Sequence, residues 1–325
     1  MKRRIALACE EMRASLPKNN GFVSGRRVIK FKFGKKMAAW KAAATAAVGA
    51  ALVFLPSRLL PIGPPPRDRT TLNEPSELTA VVVGASGATG RQLVRELVKA
   101  KSFTKVIAVT RREPAAGELY DGDTRPPKLT LQQVVETTPD SEVVAAWRGA
   151  DVFFNALGTT RAKAGSAAAF QAVEVDLTAR MARLARKAGV PCASLVSAQG
   201  ANEHGWVDPW EKVHPLLYVR TLGRKEASMR VFPHLSVFRP GMLDRLMGDR
   251  AWELAVNKLG LGLRVDLLAR AMVLDAEAMV LDAGRAAADV NVHHETVHPN
   301  VVHAGNRPIE HWAVANNWKG GPPQK

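Results

Sequence analysis

The stretch "TAVVVGASGATGRQLVREL" (79–97) sets three glycines, Gly84, Gly87 and Gly90, between an apolar run and a helical pattern. Glycine at such a hinge lets the backbone turn tightly and approach an anion, and the helix that follows offers its positive N-terminal end to a diphosphate. These residues predict a dinucleotide-binding turn; a merely tight strand-to-helix connection is the other reading. Roughly 20 residues past such a turn an acid grips the ribose 2′-hydroxyl of NAD, but the second apolar run here ends in Arg111 and Arg112. Guanidinium forks match a 2′-phosphate, which predicts a preference for NADP(H) with NAD(H) as the alternative; solvated surface charges are the competing reading.

The elements that must position these residues follow from the pattern. Apolar runs at 80–84, 105–110, 129–135, 151–157, 192–197 and 235–240 are short, rich in β-branched residues and without alternation, as strands buried on both faces of a parallel sheet are. Between them lie amphipathic segments. Leu93, Val94, Leu97 and Val98 form one apolar face, and Phe170, Val173, Leu177, Met181 and Leu184 form a longer one that stops at Gly189, Val190 and Pro191. Strand and helix in alternation predict an α/β fold, a Rossmann-type doubly wound parallel sheet. The domain reading is a leader and linker over 1–76, a dinucleotide-binding domain over 77–240, a small C-terminal helical cap region for the substrate over 241–305 that completes the same domain, and a flexible tail over 306–325. "AMVLDA" occurs at 271–276 and again at 278–283, which repeats one helical face two turns on and predicts a packing or docking surface.

The chain has 325 residues, 46% of them apolar, enough for one sizeable core. Its net charge of +16 is unevenly placed: residues 1–70 hold 15 Lys and Arg against 3 acids. The basicity belongs to the leader, which argues against nucleic-acid binding by the body. A basic, acid-poor, Ala- and Ser-containing leader with "MAAWKAAATAAVGAALVFL" at 37–55 suits a mitochondrial presequence or a short membrane-facing anchor. A plastid signal, a cytosolic tail and an upstream extension preceding Met37 are the alternatives. Its uncharged part, 42–55, is shorter than the ~20 residues a span needs. "LPIGPPPRDRTTLNEP" then reads as a proline-stiffened linker. Cys9 and Cys192 are the two cysteines, so no disulfide framework is expected and a reducing compartment fits.

The G-x-x-G-x-x-G spacing resembles that of extended and atypical short-chain dehydrogenase/reductase proteins. "FFNALGTTRAKAG" (153–165), "LVSAQGA" (195–201), "LLYVRTLGRKEA" (216–227), "SVFRPGML" (236–243) and "RAM" (270–272) narrow the likeness. In that order they resemble the oxidoreductases related to human Tat-interacting protein, whose fungal relatives are mitochondrial. The likeness runs from about Val81 to Met279 and says nothing of residues 1–76.

The resemblance implies that Gly84, Ser86, Gly87, Ala88, Thr89 and Gly90 line the pyrophosphate and that Arg111 and Arg112 face the adenosine phosphate. It puts Leu157, Gly158 and Thr159 under the cofactor and Pro240, within "RPG", beside the nicotinamide. The family's serine falls on Ser197 and its tyrosine on Tyr218; a strand-end cap and a packed ring are the structural alternatives. The tyrosine of such enzymes delivers a proton, its pKa lowered by a lysine one helical turn on. Here that position is Leu222. Lys225 is the nearby substitute, but it lies ~10 Å along the helix axis from Tyr218 where a fourth-residue lysine lies ~6 Å away. The Ser197–Tyr218 interval is also expanded by "NEHGWVDPWEKVHP", whose Trp206 and Trp210 suggest a lid or a docking surface.

Two functions follow from that pattern. One is an NADPH-dependent reductase of a small carbonyl compound, with Tyr218 as acid, Ser197 polarising the carbonyl and Lys225 or water replacing the lysine. The other is a catalytically silent nucleotide-binding subunit of a mitochondrial membrane assembly, matrix or inner-membrane associated. His293, His294, His298, His303 and His311 crowd the end of the chain with no Cys or paired acid, so packing or surface histidines are expected rather than zinc. Asp266 and Asp275 carry no assigned role, and the strand and helix pattern dissolves beyond Asp289.

Overall fold

The computed structural model describes residues 77–122, 124–205, 214–246, 262–288 and 301–314. The leader, Trp206 and Trp210, and His293, His294 and His298 lie outside the described residues.

A seven-stranded parallel sheet runs through the body in the order β3-β2-β1-β4-β5-β6-β9. Its strands are β1 (Leu78–Val83), β2 (Phe103–Thr110), β3 (Leu129–Gln133), β4 (Val152–Asn155), β5 (Cys192–Val196), β6 (His234–Arg239) and β9 (Val301–Ala304). The first six coincide with the apolar runs of the sequence. β1 pairs with β2 on one side and β4 on the other, so Val83 lies opposite both Val109 and Asn155. The strand order therefore reverses direction at the carboxyl end of β1, where a crevice opens in a doubly wound sheet.

Alternation along each strand feeds two cores. Ala80 and Val82 join Leu93, Leu97, Phe154, Leu268 and Met272 on one face; Val81 and Val83 join Val143, Trp147, Phe153, Met181 and Leu184 on the other. The first face is covered by α1 (Ala88–Lys99), the second by α2 (Asp140–Trp147) and by a helix built from three pieces. After the short α3 (Arg161–Ala164), that helix begins as α4 (Ala167–Gln171), widens into a π-helical segment (Ala172–Leu177) and continues as α5 (Thr178–Lys187). α6 (His214–Met229) follows β5.

The C-terminal part, expected as a helical cap region completing the same domain and a tail, holds a ribbon, two helices and a strand among the described residues. β7 (Leu243–Asp244) and β8 (Leu263–Arg264) form a small parallel ribbon, and α7 (Val265–Ala288) packs along α1 as part of the first helical layer. Both "AMVLDA" copies lie on α7: the first is wholly buried, the second half-buried. β9 then adds a seventh strand beside β6, and α8 (Asn306–Val314) buries Ile309 and Ala313 in the same core. This edge strand buries one of its four residues, His303, so it leaves no apolar run of the kind that marks a strand buried on both faces. Asp275 and His303, unassigned from sequence, meet here: His303 Nε2 lies 3.1 Å from Asp275 Oδ1 while its ring stacks on Phe238 at 4.5 Å. Asp266 pairs with Arg264 Nη2 at 2.6 Å. Cys192 opens β5 wholly buried, and burial pushes its thiol up to about 12, which leaves it unreactive. Among the described residues no helix is long and apolar enough to cross a membrane, and no three His, Cys, Asp or Glu are grouped to hold a metal.

Candidate functional site

The crevice begins at the glycine turn. Gly84 has φ +77°, and a Cβ there would stand 2.7 Å from the backbone of Ala156, so both conformation and space demand glycine. A Cβ on Gly90 would run into the Gly84 carbonyl oxygen, because α1 starts directly over the turn. Gly87 is the N-cap of α1, with φ −76° and ψ 168°; no side chain caps the helix and its first turn holds no acid. α2, after Pro139, also has no side-chain cap, whereas α3 and α4 are closed by Thr160 and Ser166 hydroxyls accepting from Lys163 N–H and Ala169 N–H. Around α1, Ser86, Ala88 and Thr89 thus flank a helix end whose first N–H groups have no intrahelical partner. That donor set and the bare glycines fit a diphosphate.

Arg111 and Arg112, where the resemblance implies the adenosine phosphate, directly follow β2 and are exposed. Arg112 does not hang in solvent. It forms a two-pronged contact with Glu118, Nη1 to Oε2 at 3.0 Å and Nη2 to Oε1 at 2.7 Å. Arg91 Nη2 reaches the same Oε1 at 3.0 Å, while its Nε donates to Ser86 O at 3.0 Å. The Arg112 bond, with help from Ala115 N–H and Arg91, holds the Glu118 carboxyl below the usual carboxylate range. Glu118 escaped the sequence reading; its one signal was an acid inside the turn-rich "PAAGEL".

The floor is the exit of β4. Asn155 Oδ1 accepts from Leu157 N–H at 3.0 Å, and Thr159 N–H donates to Glu174 Oε1 at 2.6 Å. Lys225 Nζ donates to Leu157 O at 2.5 Å and to Glu174 Oε2 at 3.0 Å, and both side chains are buried. Gly158 passes beside the same carboxylate, 3.6 Å from where its Cβ would be. Glu174 was also missed. The expected face ran through Val173 and Leu177; Leu177 does pack against the core, and along the wider π-helical turn Glu174 and Thr178 are buried as well.

Ser197 directly follows β5, and Tyr218 lies on α6. Ser197 is buried, and its Oγ donates to Glu226 Oε1 at 2.5 Å. Glu226 in turn accepts from Arg239 Nε at 2.8 Å and forms a second contact with Arg239 Nη2. Pro240, after Arg239, accepts from Gln199 N–H at 2.8 Å, which ties the "RPG" corner to the loop after β5. The Tyr218 ring stacks on Phe170 at 5.9 Å, and burial followed by the Glu174 charge pushes its phenol up to about 12. Leu222, at the lysine position, is buried. Lys225, the substitute expected for that lysine, holds Leu157 O and Glu174.

The chain has two tyrosines. An ultraviolet titration of the wild type should therefore contain a late ionisation near 12 that disappears in Tyr218→Phe. Charging the buried phenol opposes the fold, so this contribution to stability is intact below the ordinary phenol value near 10 and fades as pH climbs toward about 12. An ionisation of Tyr218 well below 10 would contradict this environment.

Comparison with known proteins agrees with the crevice. Residues 84–231 match a family model described as NAD(P)H-binding, so the bound group is a nicotinamide dinucleotide. Protein HTATIP2 of Rattus norvegicus is 36% identical over 165 residues, 50% of this chain and 61% of that protein. The match thus spans about three fifths of the rat protein. Mitochondrial protein FMP52 of Candida albicans is 30% identical over 176 residues, 53% of this chain and 69% of its own length. Among solved structures, UDP-N-acetylglucosamine 4-epimerase from Methanobrevibacter ruminantium is 12% identical with a TM-score of 0.48, covering 63% of this chain and 74% of that one. By its glycine turn, its strand order and its relatives, the chain belongs to the HTATIP2-like family of atypical short-chain dehydrogenase/reductases, together with the FMP52 proteins.

Proposed function

We propose that this chain is a mitochondrial NADP(H)-binding protein whose tyrosine centre does not perform ordinary carbonyl reduction, and that it serves as a nucleotide-binding accessory subunit. The observation that carries the reading is the buried, apolar Leu222 at the position where a lysine would activate Tyr218, while the Lys225 ammonium is held by Leu157 O and Glu174. A bound nicotinamide dinucleotide supplies or accepts hydride at a substrate carbon. The protein's own task is then to move one proton at the substrate oxygen. Tyr218 is the candidate donor, but a phenol held near 12 by burial, with a carboxylate rather than an ammonium nearby, is a weak acid at neutral pH. Ser197 already gives its proton to Glu226. What remains is a crevice able to bind and orient a dinucleotide without the wiring that activates the tyrosine.

The preference for NADP(H) is supported by Arg111 and Arg112 at the end of β2, where a planar guanidinium meets a phosphate in two-pronged fashion. Mitochondrial location is supported by the names of the FMP52 relatives and by the 15 basic residues within 1–70. The test is a turnover assay. Purified protein should bind NADPH and yet oxidise it with no member of a broad aldehyde and ketone panel. Leu222→Lys should raise turnover about 100-fold or more above that background, the usual scale of positioned acid–base help. Robust wild-type turnover that Tyr218→Phe abolishes would overturn the proposal.

A further inference from the structure

Glu118 has no part in the dinucleotide reading, yet its carboxylate is fully engaged beside the adenosine end of the crevice. Its side chain is 8% exposed. Oε1 receives Arg112 Nη2 at 2.7 Å and Arg91 Nη2 at 3.0 Å; Oε2 receives Arg112 Nη1 and Ala115 N–H, each at 3.0 Å. A carboxylate has about four acceptor positions, so none is left for a ribose hydroxyl. Glu118 is therefore not an acid that reads the ribose of NAD. It fills the Arg112 fork in the two-pronged geometry that a phosphate would use.

We infer that Glu118 is a specificity-determining residue, an internal competitor that occupies the Arg112 guanidinium and narrows the preference for NADP(H) over NAD(H). The inference rests on the NADP(H) reading above. Exchange is sterically open because Arg112 is 60% exposed, whereas Arg91 is half as exposed at 30% and is anchored on Ser86 O. A 2′-phosphate, with a charge of about −1.5 to −2 and three acceptor oxygens, outbids a single carboxylate for that fork. It must still displace Glu118 first, whereas NAD(H) asks nothing of Arg112.

Calorimetric titration of the full chain with NADPH and with NADH tests this. Glu118→Gln keeps the side-chain shape and an acceptor for Ala115 N–H while removing the competing charge. NADPH should bind about five-fold tighter to this variant and NADH within about two-fold of wild type, as fits an exposed ion pair. Glu118→Ala, which needs no amide placement in the loop, should shift the NADPH-to-NADH ratio the same way. Unchanged or weaker NADPH binding, or equal tightening of both coenzymes, overturns the inference. Arg112→Met separates the two readings: a fall in the ratio supports phosphate recognition, so a flat Glu118 series then defeats the competitor alone. An unchanged ratio in Arg112→Met defeats phosphate recognition by Arg112 and the competitor with it, and the same result in Arg111→Met with Arg112→Met defeats the NADP(H) reading itself.

Discussion

Gly90→Ala should destabilise the protein by about 2 kcal/mol and weaken NADPH binding about 100-fold or more, although the same exchange inside an ordinary helix stabilises by about 1 kcal/mol. The reversal of sign is the informative part. The new methyl would collide with the Gly84 carbonyl oxygen and crowd Ala85 Cα, both backbone atoms of the turn that α1 sits on. Neither atom can rotate away as a side-chain tip would. Relief requires α1 to lift from the end of β1 or the turn to open, and either motion spoils the cradle. Overpacking costs about 1–3 kcal/mol, which outweighs the gain in helix propensity. Binding falls further than stability because the first N–H groups of α1 must converge on one anion. Thermal denaturation and NADPH calorimetry check both parts. A variant as stable as wild type with unaltered NADPH affinity would show that α1 does not rest on this turn.

The same physics explains how much was legible beforehand. Central strands could be read directly because they are largely buried on two faces and so carry continuous apolar runs, as in "AVVVG" and "DVFFNAL", while β3, half-exposed at the sheet edge, was legible from its run "LTLQQVV". The glycine turn was legible because no other residue tolerates its backbone. Leu222 stood out for a related reason, since an apolar side chain at a position that asks for a lysine is a departure any reader can find. β9 was hidden because, as a short strand at the sheet edge, it buries one residue, His303, which is polar and is held by Asp275 and the Phe238 ring. Glu118 and Glu174 were hidden alike. A buried carboxylate announces itself through its partners, and those partners, Arg112 with Arg91 and Lys225 with Thr159 N–H, become neighbours only once the chain is folded. In Glu174 a local irregularity adds to this, since the π-helical segment changes which residues face inward after Phe170.

Lys225→Met should cost about 3–5 kcal/mol of stability, the scale observed when one member of a buried ion pair is removed. Both side chains are essentially closed to solvent, 2% exposed for Lys225 and 3% for Glu174, so the surviving carboxylate cannot turn to water for compensation. The variant can relieve the charge by protonating Glu174, so its deficit relative to wild type should shrink as pH falls. Removing both charges separates ion-pair loss from loss of the loop clamp. Lys225→Met with Glu174→Leu leaves no unpaired charge but deprives Thr159 N–H of its acceptor and Leu157 O of its donor. An unmet buried hydrogen bond costs about 1–3 kcal/mol, so the double variant should recover part of the loss and no more. Chemical denaturation across pH measures all three proteins. If Lys225→Met proved as stable as wild type at every pH, its ammonium would not be committed to Glu174. It would then be free to serve the tyrosine, and the case for a silent centre would fall with it.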